Sequence, residues 1–323
     1  MGIPSFTTQL DDLFLNTWLE IAKEAEDVAL GEHPVWGTLK AKGCFKPQEG
    51  GDYITRRVRY NLPETQTFQK GTQFTAQDPN LETMAMWPFR FCGVDVTRSA
   101  TDDRANRGKY RIKEYVAEKL TAAKDALSER FEEKVFQTFN SDESGTEPAS
   151  LNDIVAPYAS RTTGTLGKID RSNSWWQANY KAFTTPIAVN LVSDMRNLFN
   201  TVSQGGKTVP DIIISSQNLY EMYEDFGVEG AQIVLARNLD LSFETQMFKG
   251  AIWVWSPNIN ISGKEQLLML NSKKLEVVYD PSMWLTPTEW KPIPDQLERR
   301  MQIVCAYNLI TTAPHRHGRL YEA

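Results

Sequence analysis

Histidine and cysteine are scarce in this chain, with three of each among 323 residues. Cys44, Cys92 and Cys305 are odd in number, far apart and outside any Cys-x-x-Cys pair. Neither a disulfide framework nor a zinc site is implied, and synthesis in a reducing cytoplasm fits best. His33, His315 and His317 are the only imidazoles that could act as general bases near neutral pH. His315 and His317 would share one face of a strand, but no third ligand accompanies them at a suitable spacing, so they read as exposed polar residues near a terminus. Long apolar runs are missing too. No stretch of about 18 residues is apolar enough to cross a membrane, and the amino-terminal residues lack the basic-then-apolar pattern of a secretory signal. The glycosylation sequon Asn260, Ile261, Ser262 is then a chance match. A basic excess is also lacking: 35 Lys and Arg stand against 41 Asp and Glu, for a formal charge of -6. That balance argues against a chain whose main task is gripping nucleic acid through phosphates and leaves room for weak, local contact.

Catalytic signatures are absent in the same way. Gly164, Gly167 and Lys168 resemble part of a phosphate loop, but only two residues separate the glycines, and Ile169 stands where Ser or Thr is required. There is no GxSxG, HExxH or GxGxxG motif. The carboxylate pairs Asp102, Asp103 and Glu132, Glu133 lie on or beside a charged helix and read as solvated. An enzyme stays open as a competing reading, because a site built from carboxylates alone leaves no compact signature.

What the chain does contain is a long helical segment, Gly108 to Phe139. Ile112, Val116, Leu120, Ala123, Leu127, Phe131 and Val135 recur at steps of three and four, which makes one apolar stripe on an otherwise charged surface. Roughly 30 residues at 1.5 Å each give a rod of about 45 Å, able to dock along a sheet. Before it, Thr7 to Leu30 reads as an amphipathic helix with Leu13, Phe14, Trp18 and Ile21 on its apolar face. Its polar face is acidic (Asp11, Asp12, Glu20, Glu24, Glu26, Asp27), whereas Lys40, Lys42, Lys46, Arg56, Arg57 and Arg59 follow with the opposite sign. These charges could pair within one subunit, pair between copies, or remain separately solvated.

Asp52 to Tyr60 alternates as a strand, and Glu82 to Val96 is rich in aromatic and β-branched residues. The polar stretch Asn61 to Leu81 between them is too long for a tight turn, so the natural reading is a two-stranded arm with a broad tip carrying Phe68, Lys70 and Phe74. Such an arm cannot bury its own faces and needs a surface to lie on, which could be another subunit. Beyond the long helix, the residues predict a helix over Phe183 to Asn200, a buried strand Asp211 to Ser215, a helix Gln217 to Phe226, and buried strands Ala251 to Trp255 and Leu267 to Leu270. The alternation implies a compact α/β unit. From Lys274 the pattern is strand-rich, through Leu275 to Tyr279, Trp284 to Trp290 and Arg299 to Thr312.

Three segments carry a resemblance to a known family: Gly167 to Ser172 running into Trp175 and Trp176, Asp211 to Ser216 with Leu219 and Tyr220, and Cys305 to Leu309 with Pro314 to Leu320. Together with the order of elements, they resemble the major capsid protein of tailed bacteriophages, whose fold encapsulins and the herpesvirus capsid floor share. The resemblance covers nearly the whole chain. It implies an α+β fold with residues 1–48 as an N-terminal arm and 49–96 as an extended β-hairpin loop lying across a neighbouring subunit. Residues 97–178 would be a peripheral domain with the spine helix 108–139, and 179–270 an α/β axial domain. Residues 271–310 would complete the peripheral sheet, and 311–323 would return to the axial domain. The implied function is a structural, non-enzymatic shell subunit that self-assembles into pentamers and hexamers around phage DNA. It would be made in the host cytoplasm and found in the virion, without a cofactor, metal or membrane. Its other implied partners are a portal, a decoration protein and, because the sequence starts directly with the arm helix, a separate scaffolding protein. The candidate interface residues are Trp18, Arg56, Arg57, Arg59, Phe68, Lys70 and Phe74. The competing readings are an encapsulin-type bacterial compartment and a soluble α/β enzyme or binding module.

Overall fold

The computed structural model describes residues 33–63, 65–71, 79–99, 111–204, 206, 208–230, 246–260 and 263–322, with the backbone alone for 111–117 and 227–230. The expected amino-terminal helix with Trp18, the tip residue Phe74, and Gly108 to Tyr110 at the start of the long helix lie outside the described residues. In chain order the described elements begin with the helix Pro34–Ala41 (α1) and the strands Phe45–Pro47 (β1), Tyr53–Arg59 (β2), Glu82–Pro88 (β3) and Arg90–Ser99 (β4). The long helix Arg111–Val135 (α2), the single turn Leu151–Ile154 (α3), and the strands Thr165–Leu166 (β5), Ile169–Asp170 (β6) and Asn179–Ala182 (β7) follow. Next come the helix Ile187–Ser203 (α4), the strand Ile212–Ser215 (β8), the helix Gln217–Gly230 (α5), and the strands Gln246–Phe248 (β9), Ala251–Trp255 (β10) and Gln266–Leu270 (β11). The chain closes through Leu275–Tyr279 (β12), Thr286–Pro287 (β13), Lys291–Pro292 (β14), Glu298–Thr311 (β15) and Gly318–Tyr321 (β16). The class is α+β.

Two six-stranded sheets organise the chain. The first is built on β15, which pairs antiparallel with β4 along Glu298–Tyr307 and with β12 along Tyr307–Thr311; β13 and β14 also join it, and β1 adds to β12 in parallel. The apolar stripe of α2 docks here: Leu120, Ala123, Leu127, Phe131 and Val135 are all buried, in one core with Cys92, Val96, Met301, Ile303, Cys305 and Tyr307. Trp36 of α1 wedges into this core, with its ring centroid 5.7 Å from that of Phe131 and 6.0 Å from that of Tyr307. Along β15, burial alternates as far as Val304 and is continuous from Cys305 onward. That change follows from coverage, since Ile310 on β15 and Val278 on β12 carry a second layer on the face away from α2.

The second sheet has the order β7-β16-β11-β8-β10-β9. Ile213, Trp253, Leu267 and Met269 face α4 and α5, while Ile212, Ile214, Ile252, Val254, Leu268 and Leu270 face the first core. Both faces are covered, so these strands read as unbroken apolar runs. Helix α4 approaches β16 so closely that a Cβ on Gly318 would lie 2.7 Å from a methyl of Val202. Glu132 on α2 reaches between the two halves, where Ser256, just after β10, donates to its carboxylate at 2.9 Å.

Several expected elements end elsewhere, for local reasons. The expected strand Glu82 to Val96 is two strands, β3 and β4, divided at Phe89. The Asn308 side chain on β15 holds that corner by donating to Pro88 O at 2.7 Å and accepting from the Ala149 N–H at 2.8 Å. Helix α2 stops at Val135, before the expected Phe139, because the Asn152 amide takes the Phe136 and Gln137 carbonyls at 2.9 and 3.0 Å. Helix α4 begins at Ile187 rather than Phe183, since Pro186 precedes it and residues 179–182 are spent on β7. Trp284 to Trp290 contains only the two-residue β13, and His315 lies in a short 3-10 turn rather than a strand. Glu132, expected to be solvated, is buried; burial pushes its carboxyl pKa up against the lowering effect of the Ser256 hydrogen bond.

Candidate assembly surface

The most distinctive surface is the hairpin of β2 and β3. Its register places Ile54 opposite Trp87, Arg56 opposite Ala85 and Val58 opposite Thr83 on one face; on the other, Tyr53 faces Pro88, Thr55 faces Met86, Arg57 faces Met84 and Arg59 faces Glu82. The period of two then separates the arginines. Arg56 points toward its own chain, where its Nε donates to Glu276 at 2.9 Å. Arg57 and Arg59 are exposed on the outer face.

The inner face of the hairpin does not wait for another subunit at its base. Ile54, Val58, Ala85 and Trp87 are buried with Leu166, Trp176, Val278 and Ile310 in a third core. The small hairpin β5–β6 is the bracket. Gly167, at φ 59°, sits against the Trp87 indole, so closely that a Cβ there would lie 2.6 Å from the ring, and its carbonyl accepts from Met86 N–H at 3.0 Å. Trp176 Nε1 donates to Leu166 O at 2.9 Å, and Tyr60 stacks on Trp175 with ring centroids 4.8 Å apart. Arg171, itself buried, donates to the carbonyls of Asp153 and Thr165, and its guanidinium lies 5.2 Å from the Phe139 ring. Burial lowers the Arg171 pKa, while the same loss of water raises the carboxyl pKa of Asp153 and of Glu143, the acceptor of the Gly167 and Lys168 N–H groups. The segments picked out in the sequence around Gly167, Arg171, Trp176 and Asn308 are therefore the mounting of the arm.

Beyond this mounting the arm is exposed. Phe68 is 62% exposed, Leu62 69% and Met84 50%, and Lys70 is also exposed. On the outer face Lys168 Nζ lies 4.0 Å from the centre of the Tyr53 ring. Between the arm and the end of the second sheet lies an open cleft of about 1040 Å³, with Arg57, Arg59, Lys274 and Arg316 among its lining and no carboxylate among its described lining residues. Of the sequence-predicted interface residues, the structure brings Arg57 and Arg59 to this cleft, pairs Arg56 with Glu276 within the chain, and leaves Phe68 and Lys70 toward the tip. Lys274 and Arg316 escape a reading of local sequence, because only the fold brings them beside the arm.

The two histidines expected to be exposed near the terminus are not equivalent. His317 is fully buried: Nδ1 accepts from Asn271 N–H at 3.2 Å, leaving Nε2–H to donate to Thr311 Oγ1 at 2.9 Å, whose own proton goes to Lys274 O. Burial pushes its pKa down to about 3. His315 lines the cleft, its pKa lowered by partial burial and by Arg316. Among the described residues no group of three metal-ligating side chains occurs.

No family model matches the sequence, and no curated protein matches it. Solved structures do resemble it. The capsid of cyanophage A-1(L) superposes with a TM-score of 0.65 at 14% identity, over 90% of this chain and 92% of that one. The capsid of an empty GTA particle gives 0.57 at 11% identity, over 88% and 90%. An encapsulin complex from Synechococcus elongatus gives 0.50 at 12% identity, over 85% and 83%. The chain has the major capsid protein fold of tailed phages, which encapsulins share.

Proposed function

We propose that this chain is the major capsid protein of a tailed phage, a shell subunit that assembles into pentamers and hexamers around double-stranded DNA. The observation that carries the reading is the arm: its root is locked to its own chain, while its outer face and tip present Arg57, Arg59, Met84, Leu62 and Phe68 to solvent. A rigidly mounted hairpin with exposed apolar side chains at its end suits a contact repeated at every copy of a closed shell, where a modest interaction multiplies. In this reading the first sheet with α2 is the peripheral domain, the second sheet with α4, α5 and β16 is the axial domain, and the arm crosses a neighbour. With no carboxylate among its described lining residues, the cleft suits an acidic occupant, for which we propose the segment Asp11 to Glu32 of the same or an adjacent copy. The subunit serves as structure rather than as an enzyme. DNA is held by confinement and weak contact, in keeping with a net charge of -6, and the partners proposed for assembly are a separate scaffolding protein and a portal.

The encapsulin likeness supports a second reading, a bacterial compartment holding protein cargo. Particles isolated after nuclease treatment separate the two: protected double-stranded DNA of uniform length supports the phage reading, and protein cargo without DNA supports the compartment. A chain that sediments only as a small soluble species under assembly conditions overturns both.

A further inference from the structure

Cys92 and Cys305 are separated by most of the chain, yet the register of β4 and β15 makes them direct partners across an antiparallel pair. Directly opposed residues in such a pair have Cα atoms about 4.5–5.5 Å apart with side chains on the same face, within the Cα span of about 4.4–6.8 Å that a disulfide bridges. The two sulfurs are close enough to shift each other's pKa, Cys92 downward and Cys305 upward. The strands are also tightly apposed beside them, since a Cβ on Gly93 would lie 2.7 Å from Ile303 O. Neither sulfur has a role in the mounting of the arm or in the cleft, and all three cysteines are free thiols.

We propose that Cys92 and Cys305 are an oxidation site, a dithiol that peroxide converts to a cross-strand disulfide stapling β4 to β15. The chemistry has a direction. Cys92 is 7% exposed and Cys305 is wholly buried, so a small oxidant meets Cys92 first. The neighbouring Cys305 thiol lowers the Cys92 pKa, whereas burial raises that of Cys44 to about 12 and leaves it inert. The Cys92 thiolate attacks one peroxide oxygen, the O–O bond breaks, and a sulfenic acid and hydroxide result. The Cys305 sulfur then attacks the sulfenic sulfur, its proton joins the departing hydroxyl as water, and the S–S bond forms. In balance, two thiols and one hydrogen peroxide give one disulfide and two waters. Closing so long a loop restricts the unfolded chain, so the oxidised protein should resist denaturation more than the reduced one. The inference holds whether the chain is a phage shell or not; for a particle leaving a reducing cytoplasm, it supplies a covalent lock within each subunit after release.

The test treats the folded full-length chain with hydrogen peroxide, quenches it, denatures it and counts thiols, then maps peptides without reduction. The expected result is a fall from three thiols to one, with the Cys92 and Cys305 peptides linked and Cys44 free. Cys44→Ser should still lose two thiols. Cys305→Ser should stop at a Cys92 sulfenic acid that dimedone captures. Three surviving thiols, a linkage through Cys44 or between chains, or conversion of wild-type Cys92 to sulfinic acid without linkage would each overturn the proposal.

Discussion

Replacing Trp87 with alanine should release the arm while leaving both sheets folded. The indole is 1% exposed and buried among Ile54, Val58, Ala85, Leu166 and Trp176, with Gly167 beneath it. A buried tryptophan removes on the order of 200 Å² from water, or about 5 kcal/mol at roughly 25 cal/mol per Å². Partial collapse of the site brings the expected loss to about 3–5 kcal/mol, the usual range for removing a large buried aromatic. That loss falls on the interface between the hairpin and its platform, because Trp87 belongs to neither of the two larger cores. Opening of the arm should therefore become more populated by a factor on the order of 10² to 10⁴, with the pairing of β4 and β15 unaffected. Hydrogen exchange resolved by peptide reads this directly. Amides of β2 and β3 should lose protection by that factor, while those of β11 and β15 keep theirs. Unchanged protection in the arm, or an equal loss in all the sheets, would refute the reasoning that the third core is a separate mounting.

The other predictions concern the tip, the arginines and the buried imidazole. Phe68→Ala combined with Phe74→Ala should leave a folded subunit but weaken assembled particles by about 3 kcal/mol or more per subunit if both rings are buried by neighbours, as read from particle dissociation in denaturant; unchanged particles would make the tip a solvated loop. Arg56→Ala should cost the isolated subunit no more than about 1 kcal/mol in chemical denaturation, since its pairing with Glu276 is partly exposed, whereas Arg57→Gln with Arg59→Gln should change subunit stability little and impair assembly in light scattering. His317 has a folded pKa near 3, below its ordinary value, so the unfolded chain binds its proton first as pH falls; its contribution is complete above about pH 6.5 and is lost progressively toward pH 3. His317→Gln should flatten the pH dependence of unfolding across that window, and an unaltered slope would mean that the imidazole is not held neutral.

The sequence conveyed periodicity well and long-range pairing poorly. The stripe from Leu120 to Val135 and the apolar strands of the second sheet were legible because burial repeats at 3.6 residues on one helix face, or runs unbroken where both faces of a sheet are covered. The division of the arm strand at Phe89 was not legible, since residues on both sides have strand character. What separates them is the choice of partner: β2 for one and β15, some two hundred residues away, for the other. The same limit hid the opposed Cys92 and Cys305, and it hid the basic cleft, whose Lys274 and Arg316 lie far from Arg57 in sequence. Glu132 and His317 were misjudged for another reason. A polar residue type signals exposure only until a specific partner is found, and Ser256 and Asn271 are supplied by tertiary structure. Of the candidate interface, the alternation of residues 53–59 already contained the separation of Arg56 from Arg57 and Arg59, but not which face was inward.

The central claim, that this chain is a shell subunit, is tested most directly by electron microscopy of the purified full-length protein under assembly conditions. The expected result is closed particles built of five-fold and six-fold clusters, with the β2–β3 arm of each subunit lying across its neighbour. A field of monomers or small oligomers across a range of salt and protein concentrations would contradict it.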